Sequence, residues 1–86
     1  VTRPAIFMYA SGWCPYCQRA RALFTQKGLE FTEIDVDEGK LREEMIARSG
    51  RRTVPQIFIG DRHVGGCDDL LALDGSGELD RLIQGA

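Results

Sequence analysis

The chain has 86 residues, 43% hydrophobic and 28% charged, with 11 basic and 13 acidic side chains and a formal net charge of -2. These values fit one small globular domain over residues 1–86, and they exclude both the basic excess of a nucleic-acid binder and the apolar run of a membrane span. Three cysteines make no even-numbered disulfide scaffold, and "VTRPAIFMYASG" lacks the apolar core and cleavage site of a signal peptide, so the expectation is a cytoplasmic protein that keeps its thiols reduced.

"AIFMY", Ala5 to Tyr9, is a short apolar run that reads as a buried strand. Residues 10–13 form a loop that ends at Cys14. Pro15 suits the first turn of a helix, where its missing N–H costs nothing. In "CQRARALFTQKG" the apolar positions Cys17, Ala20, Leu23 and Phe24 share one helical face, and Lys27-Gly28 is a good stop. "EFTEIDVD", Glu30 to Asp37, alternates as a strand does, with Thr32, Ile34 and Val36 opposite Phe31, Glu33 and Asp35. "KLREEMIARSG" predicts a helix with Leu41, Met45 and Ile46 on its apolar side and Gly50 at its end. Gln56 to Ile59 and Arg62 to Val64 predict a hairpin around Gly60-Asp61. "CDDLLALD" follows as a short helix, and "GELDRLIQ" as a last amphipathic one through Leu79, Leu82 and Ile83.

The order strand-helix-strand-helix-strand-strand-helix-helix predicts an α/β fold. A four-stranded mixed sheet would carry helices on both faces, with its first two strands parallel. Cys14 then lies where the first strand ends and the first helix begins, the edge that ligand sites favour in open α/β sheets.

Cys14 and Cys17 stand two residues apart in "CPYC". A helix start carries free N–H groups and about half a positive charge. A thiolate is stabilised there, so Cys14 is expected below the ~8.5 of a free thiol. Cys17, inside the first turn, should be more buried and less ionised. The asymmetry assigns attack to Cys14 and resolution to Cys17. Other readings exist. Cys14, Cys17, His63 and Cys67 also spell C-x2-C and H-x3-C, formally four zinc ligands. The first pair, however, runs through Pro15 straight into a helix without a knuckle turn. A structural disulfide closing so small a ring stabilises weakly. A redox centre fits best, with no metal.

Two distant stretches bear on this pair. In "TVPQIF", Pro55 belongs at a strand start or edge, since it cannot donate to a ladder. In "GGCDDL", two glycines allow close backbone approach and a helix start follows, suited to a carboxylate. Asp68 and Asp69 lie in its first turn, where an aspartate also serves as a simple cap. His63 reads as a hairpin side chain, Trp13 as a shield over the thiols and Cys67 as small helix-start filler.

"CPYC", "TVPQIFI" and "GGCDDL", in this order and spacing across essentially the whole chain, resemble the glutaredoxin family, in its dithiol CPYC class and bacterial third type. The resemblance implies a thioredoxin-like fold, a cis bond before Pro55 and glutathione as co-substrate with no tightly bound cofactor. It implies an enzyme, a glutathione-dependent thiol–disulfide oxidoreductase that reduces glutathione mixed disulfides and protein disulfides through Cys14 and Cys17. NADPH and glutathione reductase would recycle the glutathione. By the same resemblance Tyr16, Thr53, Val54 and Pro55 line the glutathione groove, and Gly66, Cys67, Asp68 and Asp69 hold the γ-glutamyl end. Partners would be glutathionylated or disulfide-containing proteins, ribonucleotide reductase among them, met by a monomer that needs neither nucleic acid nor membrane. One departure stands out: Ser11 takes the place of a lysine that many relatives carry three residues before the first cysteine. Arg52 is the expected substitute cation, with Arg51 as the second choice. Two alternatives remain: a thioredoxin-like reductant, against which the γ-glutamyl pocket argues, and a glutathione-ligated iron–sulfur carrier, which Pro15 should hinder.

Overall fold

A computed structural model describes residues 4–84 of the chain. The elements are β1 (Ile6–Ala10), α1 (Pro15–Gln26), β2 (Thr32–Asp35), α2 (Leu41–Ser49), β3 (Gln56–Ile59), β4 (Arg62–Gly65), α3 (Cys67–Ser76) and α4 (Glu78–Ile83). The sheet has four strands in the order β2-β1-β3-β4. β1 and β2 are parallel, and the other pairs are antiparallel. This is the α/β arrangement expected from the sequence.

Alternation along the central strands divides the core, because successive strand side chains point to opposite faces. Ile6, Met8 and Ala10 of β1, with Ile57 and Ile59 of β3, meet Cys17, Ala20 and Phe24 of α1, Leu70 of α3, and Leu79 and Ile83 of α4. Tyr9 and Phe58 point to the other face and pack with Val36 and Met45 of α2's cluster. Helices therefore cover both faces. On the α2 side the buried Tyr9 hydroxyl donates to Glu44 Oε2 at 2.9 Å and accepts from Arg48 Nη1 at 2.8 Å. That pairing spares a buried phenol the cost of an unmet hydrogen bond.

Several boundaries differ from the periodic reading: β1 is Ile6–Ala10, not Ala5 to Tyr9, β4 runs on to Gly65, and β2 and α3 shift for reasons the structure shows. β2 is Thr32–Asp35, shorter than Glu30 to Asp37, because it pairs only with β1: the ladder runs from Phe7↔Thr32 to Ala10↔Asp35 and stops where β1 stops. α3 runs on to Ser76, past Asp74, and ends at Gly77, whose φ of 83° few other residues tolerate. Lys27 is the C-cap of α1, and its ammonium reaches Asp74 at 2.7 Å and Asp80 at 3.1 Å, tying α1 to α3 and α4.

Candidate active site

α1 begins at Pro15 with Cys14 as its N-cap in extended conformation (φ -75°, ψ 123°). Pro15 makes the helix start here by fixing φ and needing no acceptor. The first-turn amides are thus turned towards the Cys14 sulfur. Burial pushes the Cys14 thiol up, but the N–H of Cys17, the Cys17 thiol, the N–H of Tyr16 and the charge of Arg21 outweigh it, and the net shift is downward. Cys17 is fully buried in the α1 face of the core. Burial pushes its thiol up to about 11, the neighbouring Cys14 adds to the rise, and the Ser11 N–H and Arg21 oppose it. All three cysteines are free thiols.

Beside the pair lies a cleft of about 230 Å³ lined by Tyr16, Arg51, Thr53, Val54, Pro55, Gly66, Cys67, Asp68 and Asp69. Cys14 Sγ stands 3.9 Å from the Val54 carbonyl, and the Val54-Pro55 peptide bond is cis. The buried Gln56 amide donates to the Thr53 carbonyl at 3.0 Å and to Thr53 Oγ1 at 3.2 Å, and its own oxygen meets His63 Nε2 at 2.7 Å. His63 is thus occupied within the hairpin, stacked on Phe58 at 4.9 Å. Among the described residues no group of three or more His, Cys, Asp or Glu side chains is placed to hold a metal ion.

The far wall of the cleft is the start of α3. Asp69 Oδ2 accepts from the Gly66 N–H at 3.0 Å and from Arg51 Nη1 at 3.2 Å. Those bonds hold its carboxyl below the ordinary range, the Gly66 amide contributing most. Gly65 has a φ of 115°, and a Cβ there would collide with the Asp69 carboxylate, so the first glycine of the pair is required by this close approach. Asp69 is therefore the capping aspartate. Asp68 is exposed, and it has no hydrogen-bond or ion-pair partner among the described residues. Cys67 is buried at the first position of α3.

The structure gathers Tyr16, Thr53, Val54, Pro55, Gly66, Cys67, Asp68 and Asp69 around one cleft, with Cys14 beside it at Val54 and Cys17 buried behind Cys14. It does not bring Arg52 to the cleft wall. Arg52 is exposed and its carbonyl accepts from Arg42 Nη1, whereas Arg51 lines the cleft. Alternate residues of an extended segment point opposite ways, which the sequence alone did not phase. Trp13 is 78% exposed. Sequence reasoning missed Arg21. It sits one turn after Cys17 on α1, and that i, i+4 spacing was the available signal. A larger cleft of about 490 Å³ lies at the opposite end of β1, along Pro4–Ile6, residues 28–32 and Ile83, and contains no thiol.

Comparison with known proteins agrees with this geometry. The glutaredoxin family model matches residues 6–64. The chain is 56% identical over 78 residues to glutaredoxin 3 of Escherichia coli (strain K12), covering 90% of this chain and 94% of that protein. The solution structure of glutaredoxin from Brucella melitensis superposes with a TM-score of 0.84 at 54% identity, covering 96% of this chain and 91% of that one. The crystal structure of a buckwheat glutaredoxin–glutathione complex superposes with a TM-score of 0.86 at 29% identity, covering 94% and 77%. This chain belongs to the glutaredoxin family of glutathione-dependent thiol–disulfide oxidoreductases.

Proposed function

We propose that Cys14 is the attacking thiolate, Cys17 the resolving thiol and the cleft beside them the seat of glutathione. The reading rests on one observation above the others: the Cys14 thiol, held low by a helix start, lies 3.9 Å from the carbonyl of Val54, which lines a cleft of about 230 Å³. A relative has been seen in complex with glutathione, which supports the same ligand here.

In this reading the Cys14 thiolate attacks the glutathione sulfur of a mixed disulfide. The sulfur–sulfur bond breaks, and the substrate thiolate leaves and takes up a proton. A second glutathione thiolate then attacks the glutathione bound to Cys14, releasing oxidised glutathione and restoring the Cys14 thiolate. On protein disulfides, Cys17 loses its proton and attacks Cys14 Sγ, expelling the second substrate thiolate and leaving Cys14 and Cys17 oxidised. Val54 pairs its backbone with the glutathione cysteine. Tyr16, Thr53 and Pro55 flank that contact. The Gly66, Cys67 and Asp68 backbone meets the γ-glutamyl carboxylate and the Asp68 side chain its ammonium, with Asp69 bracing them. Arg51 lies nearer this ligand than Arg52.

No described helix is long and apolar enough to cross a membrane. Three free thiols suit a reducing cytoplasm, where disulfide proteins, ribonucleotide reductase included, would be the macromolecular partners of a monomer. A coupled assay with glutathione, NADPH and glutathione reductase on a small glutathione mixed disulfide tests the reading. Turnover that persists without glutathione would contradict it.

A further inference from the structure

Ser11, at the family's lysine position, is buried, and each of its polar groups is engaged. Its hydroxyl donates to Asp37 Oδ2 at 2.7 Å. Its carbonyl accepts from Arg21 Nη2 at 3.3 Å and from the Cys14 N–H at 3.4 Å. Its N–H faces the Cys17 sulfur. Arg21 is in turn held by a two-point grip on Glu33 of β2, with Nε–Oε1 at 2.5 Å and Nη2–Oε2 at 2.7 Å. A planar guanidinium makes a two-point grip on a carboxylate and still has an N–H for a carbonyl, whereas an ammonium has no such fork. The result is a clamp on the Ser11 backbone made of residues that do not line the cleft.

We infer that Arg21 is a positioning residue for the resolving step: gripped by Glu33, it holds the Ser11 backbone so that the Ser11 N–H and its own positive charge both face Cys17 when that thiol must ionise. The inference rests on Cys17 as the resolving thiol and goes beyond it. In the resting enzyme, the neighbouring Cys14 helps to keep Cys17 protonated. Once Cys14 is bonded to substrate sulfur it carries no charge. Burial is then opposed by the Ser11 N–H and Arg21, the groups of the clamp. With Cys14 neutral, the Ser11 N–H and the Arg21 charge are the groups that favour the Cys17 thiolate against burial. The step is balanced. Cys17 gives its proton to solvent and attacks Cys14 Sγ, a sulfur–sulfur bond forms between them, and the Cys14–substrate bond breaks. The substrate thiolate leaves with the electron pair, so the dithiol is oxidised and the substrate sulfur reduced.

The test is the rate of intramolecular resolution, started from enzyme carrying a glutathione mixed disulfide on Cys14 and followed by glutathione release between pH 6 and 12, a window that spans the Cys17 thiol's value of about 11. Arg21→Gln should slow release about threefold to tenfold at pH 7, since a tenfold change in thiolate fraction corresponds to one pKa unit. Its rate–pH profile should move to higher pH and converge with wild type at the alkaline end. Arg21→Lys restores the charge without the fork and should fall between the two. An unmoved profile in Arg21→Gln overturns the inference, and so does a uniform loss at every pH, which would make Arg21 a mere brace. If Arg21→Gln does not fold, as judged by circular dichroism, Arg21→Lys decides alone: a profile identical to wild type overturns the positioning role. Wild-type enzyme that releases no glutathione by itself would instead refute Cys17 as the resolving thiol, a different and recognisable result.

Discussion

The backbone N–H of Cys17 is aimed at the Cys14 sulfur, while the Cys17 sulfur itself lies buried one turn into the same helix. Two thiols three positions apart are thereby driven in opposite directions, Cys14 down and Cys17 up to about 11. The helix start produces the difference: its free amides serve the residue just outside the helix and are spent before the residue inside it.

Alkylation of the reduced native protein should therefore label Cys14 first and stay fast at neutral pH. Because its folded pKa is lowered, the reaction should slow as pH falls through that value. Cys17 should join only towards pH 11, where its thiol ionises. Cys67, pushed up by burial and then by the charges of Asp68 and Cys14, should lag as well. Mass mapping of the first label at pH 7 checks this, and first labelling at Cys67 would contradict it. The same shift links to stability. Compared with Cys14→Ser, the reduced protein gains most above the ~8.5 of a free thiol, and the gain disappears as pH falls through the folded Cys14 value.

Arg51 and Arg52 are adjacent, yet only Arg51 lines the cleft. Arg51→Ala should raise the KM for glutathione mixed disulfides severalfold with little change in kcat. Arg52→Ala should leave KM within about twofold, as for a solvated surface charge. Steady-state kinetics on the two variants side by side would show a reversed order if Arg52 were the working cation.

Asp68 and Asp69 separate function from support. Asp69→Ala removes bonds to the Gly66 N–H and to Arg51, and should cost about 1 kcal/mol of stability in a urea titration. Asp68→Asn touches no such bond. It should leave the urea midpoint unchanged while weakening glutathione, because it removes the charge offered to an ammonium. Equal loss of stability in both variants would deny this division.

Much of this was legible in the sequence because it is local. Pro15 and the preceding loop fixed the helix start, and the apolar run through Tyr9 marked a buried strand, whose two faces the fold then divided between two helical layers. "CPYC", "TVP" and "GGCDD" came together because each lies at a strand end or helix start on the same edge of the sheet. What the sequence hid depends on tertiary pairing. The length of β2 is set by β1, its only partner. Arg51 faces the cleft and Arg52 does not because of the phase of one short loop. Arg21 read as one of several surface cations on α1, and its meaning emerged only when β2 brought Glu33 against it.

The most direct test of the account pairs two substrates with two variants in the coupled glutathione–NADPH assay. Cys14→Ser should be inactive on both a small glutathione mixed disulfide and a protein disulfide. Cys17→Ser should still reduce the mixed disulfide and fail on the protein disulfide that needs two thiols. Activity in Cys14→Ser, or retention of both activities in Cys17→Ser, would contradict the division of labour on which the account stands.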